Sequence, residues 1–179
     1  MNLPNKLTVL RVCMVPVFVF VMLWGGLGDA GKYAATLIFV LASMTDWFDG
    51  YLARKNNLVT DFGKFMDPIA DKLLVCSALI CLVEKGALAA WIVIIIIGRE
   101  FIISGFRLVA SDKGTVIAAS YWGKFKTVFQ MIMVILLLLD LGGIFDIIAQ
   151  IVTWIALILT VVSLVDYLRK NWSVLDGEM

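Results

Sequence analysis

The chain has 179 residues, of which 62% are hydrophobic, with 15 Lys and Arg against 14 Asp and Glu and no histidine. A mean hydropathy of +0.99 is beyond what a soluble core of this size needs, so a soluble globular class is excluded and an integral membrane protein is expected. A net charge of +1 with dispersed basic residues gives no case for nucleic acid, and the lack of His removes the commonest general base and the usual zinc ligand.

Residues Met1 to Arg11 are short and mixed. Pro4 is placed to start a helix, and Leu3, Leu7 and Leu10 fall at helical spacing, which predicts a short N-terminal juxtamembrane segment running into a first span at Leu10 to Trp24. Lys6 and Arg11 before an apolar run imitate a signal peptide, but no small-x-small cleavage site follows, so the span is expected to be retained. Gly25, Gly26 and Gly28 break the helix. Further spans are predicted at Lys32 to Arg54, Asp61 to Val83, Ala87 to Ser111, Trp122 to Leu141 and Ile144 to Leu168, followed by a short polar tail. The expectation is an all-α integral membrane bundle of six transmembrane helices, forming one domain over residues 1–179. Cys13, Cys76 and Cys81 lie in apolar surroundings and read as buried thiols. The tryptophans mostly fall near predicted helix ends, as an interfacial belt requires.

With an even number of spans, one side collects every Lys and Arg except Lys32 and Lys85. That side, holding both termini and the loop near residue 55, is therefore expected to face the cytoplasm.

The stretch from Asp46 to Asp71 is the centre of the chemistry. Asp46, Asp49, Gly50 and Ala53 share one face of a helix, and Gly63, Asp67 and Asp71 share a face of the next. An antiparallel hairpin of the two helices would bring four carboxylates together. Solvated residues at helix ends are one reading, with Asp61 placed in a favourable first turn. The other is a divalent-metal site, because carboxylates in very apolar segments are costly and oxygen-only ligands select Mg²⁺ or Mn²⁺.

The spacing Asp-x2-Asp-Gly-x2-Ala-Arg-x8-Gly-x3-Asp-x3-Asp is filled at every fixed position by Asp46, Asp49, Gly50, Ala53, Arg54, Gly63, Asp67 and Asp71. In this the chain resembles the CDP-alcohol phosphotransferase family, small membrane enzymes of about six spans. The resemblance implies transfer of a phosphoalcohol from a CDP-alcohol to a hydroxyl acceptor with release of CMP. It further implies two Mg²⁺ or Mn²⁺ ions held mostly by Asp46, Asp49 and Asp67, with Asp71 as the fourth ligand and general base. Gly50, Ala53, Arg54 and Gly63 would contact the cytidine and pyrophosphate, although small residues in a membrane helix also simply permit close packing. The family also implies a bacterial cytoplasmic membrane location and a homodimer.

A second polar zone bears on the acceptor. Arg99 and Arg107 lie on one side of the fourth helix, and Lys124 and Lys126 follow the next loop. For Arg99 and Lys126, snorkelling or an ion pair with Glu100 stands beside a role in binding an acceptor phosphate. For Arg107 and Lys124 the phosphate role is favoured. Gly98 to Phe101, Gly105 to Arg107, Gly123 to Thr127, Asp67 to Leu74 and Pro4 to Arg11 resemble the family branch that joins CDP-diacylglycerol to glycerol 3-phosphate. Asp166 and Tyr167 are noted as bordering the site. The rivals are the same family with serine, inositol phosphate or a lipid as acceptor, an intramembrane prenyltransferase, or a divalent-cation transporter. A prenyltransferase would place Asp motifs on well-separated helices, and a transporter would show repeats or broken helices.

Overall fold

The computed structural model describes residues 3–55, 61–112, 117 and 120–172; the side chains of residues 3, 4, 25, 46–55, 61, 62, 64, 65 and 112 lie outside the description. Among the described residues all regular structure is helical: α1 (Leu3–Leu23), a 3₁₀ turn (Gly25–Leu27), α2 (Gly28–Lys55), α3 (Asp61–Glu84), α4 (Ala90–Asp112), α5 (Tyr121–Leu139) and α6 (Ile144–Lys170). The juxtamembrane piece and first span are one continuous helix, which Pro16 does not interrupt. α4 starts three residues later than expected because the chain after α3 makes a closed turn. Gly86 at φ 72° donates to the Val83 carbonyl at 2.9 Å, and Ala87 donates to Leu82 at 2.9 Å. This pairing needs a left-handed residue at position 86, which glycine supplies without steric cost.

The chain divides into two compact units, Met1–Leu88 with Leu138–Asp140, and Ala89–Leu137 with Leu141–Met179. In the first unit α1 packs along both α2 and α3, while α2 and α3 touch each other only briefly. The buried stripe of α1 is Asn5, Thr8, Arg11, Val15, Phe18 and Met22, polar at one end and apolar at the other. Phe18 meets Phe39 of α2 with ring centroids 6.1 Å apart. At that end of α1, Leu10 is 49% exposed while Arg11 beside it is 0% exposed. In an apolar medium leucine gains nothing by leaving the lipid, so polar groups take the packed face.

In the second unit α4 packs on α6. The packed face of α6 holds Ala149, Thr153, Ala156, Thr160 and Ser163, whereas Ile144, Ile147, Ile151, Trp154, Ile158 and Val165 are exposed. An outside more apolar than the inside is the pattern of a helix solvated by lipid, with small residues allowing close backbone approach. The buried hydroxyls are satisfied within the helix: Thr153 and Thr160 each donate to the carbonyl one turn back at 2.7 Å. Of the cysteines only Cys81 is buried; Cys76 is half-buried and Cys13 exposed on the outward side of α1. Trp154 also departs from the interfacial expectation, lying well inside α6 with its ring 6.0 Å from that of Trp91.

Among the described residues, three helices are long and apolar enough to cross a membrane: Asn5–Leu23, Tyr121–Leu139 and Ile144–Lys170. α2, α3 and α4 are also long, at 28, 24 and 23 residues, and bear the aspartates of the acidic zone together with Arg99, Glu100 and Arg107, while Lys124 and Lys126 lie on α5.

Candidate functional site

The acidic zone is built on the first unit. Asp67 and Asp71 lie one turn apart on α3 and are both half-buried, beside the fully buried stripe of Ala70, Leu74 and Ala78. Ile69, Leu73 and Ile80 are exposed on other faces of α3. The carboxylates therefore accompany the packed side of the helix, where polar groups in an apolar medium find partners. Thr8 of α1 donates its hydroxyl to Asp67 Oδ1 at 2.5 Å. Arg11 is entirely buried and directs Nε towards Thr45 Oγ1, at 3.4 Å, on the residue preceding Asp46. Gly63 is buried. Asp46, Asp49, Gly50, Ala53 and Arg54 occupy the last turns of α2, and Asp61 opens α3, but their side chains lie outside the described residues. Among the described residues no three Asp, Glu or Cys side chains gather as a metal-binding group. Asp67 and Asp71 are hard oxygen donors, and this donor chemistry fits a divalent cation of the Mg²⁺ or Mn²⁺ kind.

The basic zone is built on the second unit. Glu100 Oε1 accepts from Arg99 Nη1 at 2.9 Å and from Lys126 Nζ, joining α4 to α5. Arg99 Nε donates to Ser163 Oγ of α6 at 3.1 Å, and Ser163 donates in turn to the Thr160 carbonyl at 3.0 Å. Arg99 is 8% and Lys126 1% exposed, so the cluster is a buried polar knot tying three helices. Both cations engage Glu100, which was one of the two roles considered for them. Gly123 makes the knot possible, since a Cβ there would lie 3.1 Å from Arg99 Nη2. Because that guanidinium is held on two other sides, it has little room to yield. Gly123→Ala should cost about 1–3 kcal/mol of stability through overpacking, read as a lower melting temperature in detergent.

Arg107 and Lys124 differ from this pair in being exposed. The Arg107 guanidinium lies 6.0 Å from the centre of the Tyr167 ring, and Lys124 Nζ lies 5.2 Å from that of Tyr121. Cations over ring faces at these distances are held by the ring quadrupole without losing their own charge. Tyr167 is buried, meets Phe106 edge-on at 6.3 Å, and its hydroxyl has no hydrogen-bond partner. Asp166 pairs with Lys170 at 2.7 Å and keeps a second, buried oxygen unpartnered. Thr8, Arg11 and Gly123 were named only within wider stretches and not for these contacts, and Ser163 was not singled out. Polar residues recurring every three positions in the apolar α1 were the available signal for the first two.

An all-helical chain whose charged residues are concentrated in two zones of otherwise apolar helices is of the membrane-protein class. A sequence model of the family described as CDP-alcohol phosphatidyltransferase matches residues 1–162, and the chain belongs to that family. It is 48% identical to the CDP-diacylglycerol–glycerol-3-phosphate 3-phosphatidyltransferase of Bacillus subtilis (strain 168), over 97% of each chain. It is 44% identical to a probable phosphatidylglycerophosphate synthase of Mycobacterium tuberculosis, over 94% of this chain and 81% of that one. It is 42% identical to the Haemophilus influenzae CDP-diacylglycerol–glycerol-3-phosphate 3-phosphatidyltransferase, over 98% of this chain and 97% of that one.

Proposed function

We propose that this chain transfers a phosphatidyl group from CDP-diacylglycerol to glycerol 3-phosphate, forming phosphatidylglycerol phosphate and CMP. The names of its full-length relatives support the reaction. The observation from the structure that carries the acceptor assignment is the contrast within the basic zone. Arg99 and Lys126 are buried on Glu100, while Arg107 and Lys124 stay exposed and stacked against tyrosines. A phosphate-bearing acceptor gives those two cations a partner.

In this reading the acceptor hydroxyl gives its proton to Asp71 and its oxygen attacks the lipid-side phosphorus of the donor. The bond from that phosphorus to the bridging oxygen breaks, and CMP leaves without a covalent enzyme intermediate. Asp46, Asp49, Asp67 and Asp71 would hold two Mg²⁺ or Mn²⁺ ions, whose positive charge would supply neutralisation of the pyrophosphate and of the departing phosphate oxygen. Gly50, Ala53, Arg54 and Gly63 accommodate the cytidine and pyrophosphate. Arg107 and Lys124 hold the acceptor phosphate, and Arg99 and Lys126 support them from the buried side.

All six helices span a bacterial cytoplasmic membrane, with both termini and the acidic zone on the cytoplasmic side, as the distribution of Lys and Arg supports. The chain acts as one domain over residues 1–179, since one family model runs through both compact units. Family resemblance supports a homodimer.

The test is CMP release by purified protein from CDP-diacylglycerol with Mn²⁺ or Mg²⁺, comparing glycerol 3-phosphate, glycerol, serine and inositol phosphate. Release with glycerol 3-phosphate alone is expected. Preference for another acceptor would retain the family and overturn the branch. Arg107→Ala should raise the KM for glycerol 3-phosphate by about 10–100-fold, the worth of a charge-assisted phosphate contact, and leave that for CDP-diacylglycerol within about 2-fold. An unchanged acceptor KM would remove Arg107 from the assignment.

A further inference from the structure

We propose that Thr8 is a positioning residue for Asp67, engaging one carboxylate oxygen so that the other is presented to a divalent cation. The proposal rests on the reading of Asp67 as a metal ligand. Its starting point is a bond between residues 59 positions apart in sequence: Thr8 Oγ1 donates to Asp67 Oδ1 at 2.5 Å. A hydroxyl donating to a carboxylate at this length is a strong, charge-assisted bond, and Thr8 is only 1% exposed, so water does not compete for it.

The destination of this hydroxyl is unusual within the chain. Thr36, Ser43, Ser104, Thr127, Thr153 and Thr160 all donate to the carbonyl one turn back in their own helix. That habit satisfies the hydroxyl and leaves it chemically silent. Thr8 instead gives a bond to an acid of another helix, in the segment where the acidic motif lies. Its neighbour on the same stripe, Arg11, reaches towards Thr45, next to Asp46 in the other half of the motif. Asn5, Thr8 and Arg11 thus form a buried polar edge on the one helix that packs along both acid-bearing helices.

The physical role follows from carboxylate geometry. A carboxylate on a helix rotates about its terminal bond and, left to itself, can chelate with both oxygens or swing away. Fixing one oxygen by a directed bond restricts that rotation and settles which lone pairs remain for a cation. Groups that orient a ligand in this way typically change metal affinity by about 10–100-fold when removed. A bond serving only to join α1 to α3 would affect stability and leave the affinity of folded protein for metal unchanged.

The experiment is Mn²⁺ binding to the full chain in detergent with no substrate present, followed by the paramagnetic resonance of free Mn²⁺. Wild type, Thr8→Val, Thr8→Ala, Thr8→Ser, Asp67→Asn and Thr8→Val/Asp67→Asn are compared, each with a melting curve. Thr8→Val should weaken Mn²⁺ binding by about 10-fold or more, Thr8→Ser should retain most of it, and Thr8→Val should add nothing in the Asp67→Asn background. If folded Thr8→Val binds Mn²⁺ as wild type does while Asp67→Asn is weakened, positioning is wrong and the metal reading stands. If Asp67→Asn itself binds normally, the metal reading of Asp67 fails and the proposal with it. If neither Thr8→Val nor Thr8→Ala folds, the hydroxyl serves stability and the proposal is overturned.

Discussion

Asp71→Asn is expected to lower kcat for CMP release by about 10³-fold, within the range that loss of a general base produces. Asparagine keeps the shape of the side chain and can still offer an oxygen, but it cannot take up the acceptor proton near neutral pH. The KM for glycerol 3-phosphate should change little, because the acceptor is held by its phosphate and not by this carboxylate. A lost metal ligand is the competing explanation, and the two separate on titration. If Asp71 acts as the base, saturating Mn²⁺ does not recover the rate; if it acts only as a ligand, excess metal restores much of it. A kcat within about 10-fold of wild type at saturating metal would move the base assignment to another residue.

Glu100→Ala is expected to have the largest effect on stability. It leaves two buried cations, Arg99 at 8% and Lys126 at 1% exposure, without the carboxylate they share. Stranding a buried charge typically costs about 3–5 kcal/mol; since the Glu100 side chain is itself 22% exposed, the low end applies. About 3 kcal/mol in a chain of this size lowers the melting temperature by about 6–12 °C, measured in detergent. The double variant Glu100→Leu/Lys126→Met should recover part of the loss, because one stranded cation goes with its partner. A loss confined to about 2 °C would mean that water or lipid headgroups replace Glu100.

Much of the secondary structure was legible because its signals are local. Glycines mark the break before α2 and the turn after α3, and Ile144 opens α6 where the apolar run resumes after Gly142 and Gly143. The choice of face was not legible on the same terms. The spacing of Leu3, Leu7 and Leu10 marks α1 as a helix without saying which face is packed; Asn5, Thr8 and Arg11 take that face. The aspartate spacing located the acidic zone, yet it gave no hint that α1 joins α2 to α3, because contacts such as Thr8 with Asp67 leave no trace in either local sequence. In the basic zone the sequence supplied four cations and one acid. That Glu100 could engage Arg99 and Lys126 was one of two readings open to the sequence; choosing between them, and leaving Arg107 and Lys124 exposed, depends on which helices meet at Gly123 and Ser163.

The placement of α1 along both α2 and α3 also has a consequence for how the protein is made. α1 is made before α2 and α3, so in a membrane Arg11 and Thr8 would for a time lack the helices that later cover them. Those side chains are costly to leave in lipid, so a waiting α1 would be expected to sit shallow until the next two helices arrive. A bulky fusion at the amino end, or a slowed stretch of translation before residue 61, would then prolong that exposed interval. Such a change lowers the yield of assembled protein while leaving every residue of the finished molecule as it was.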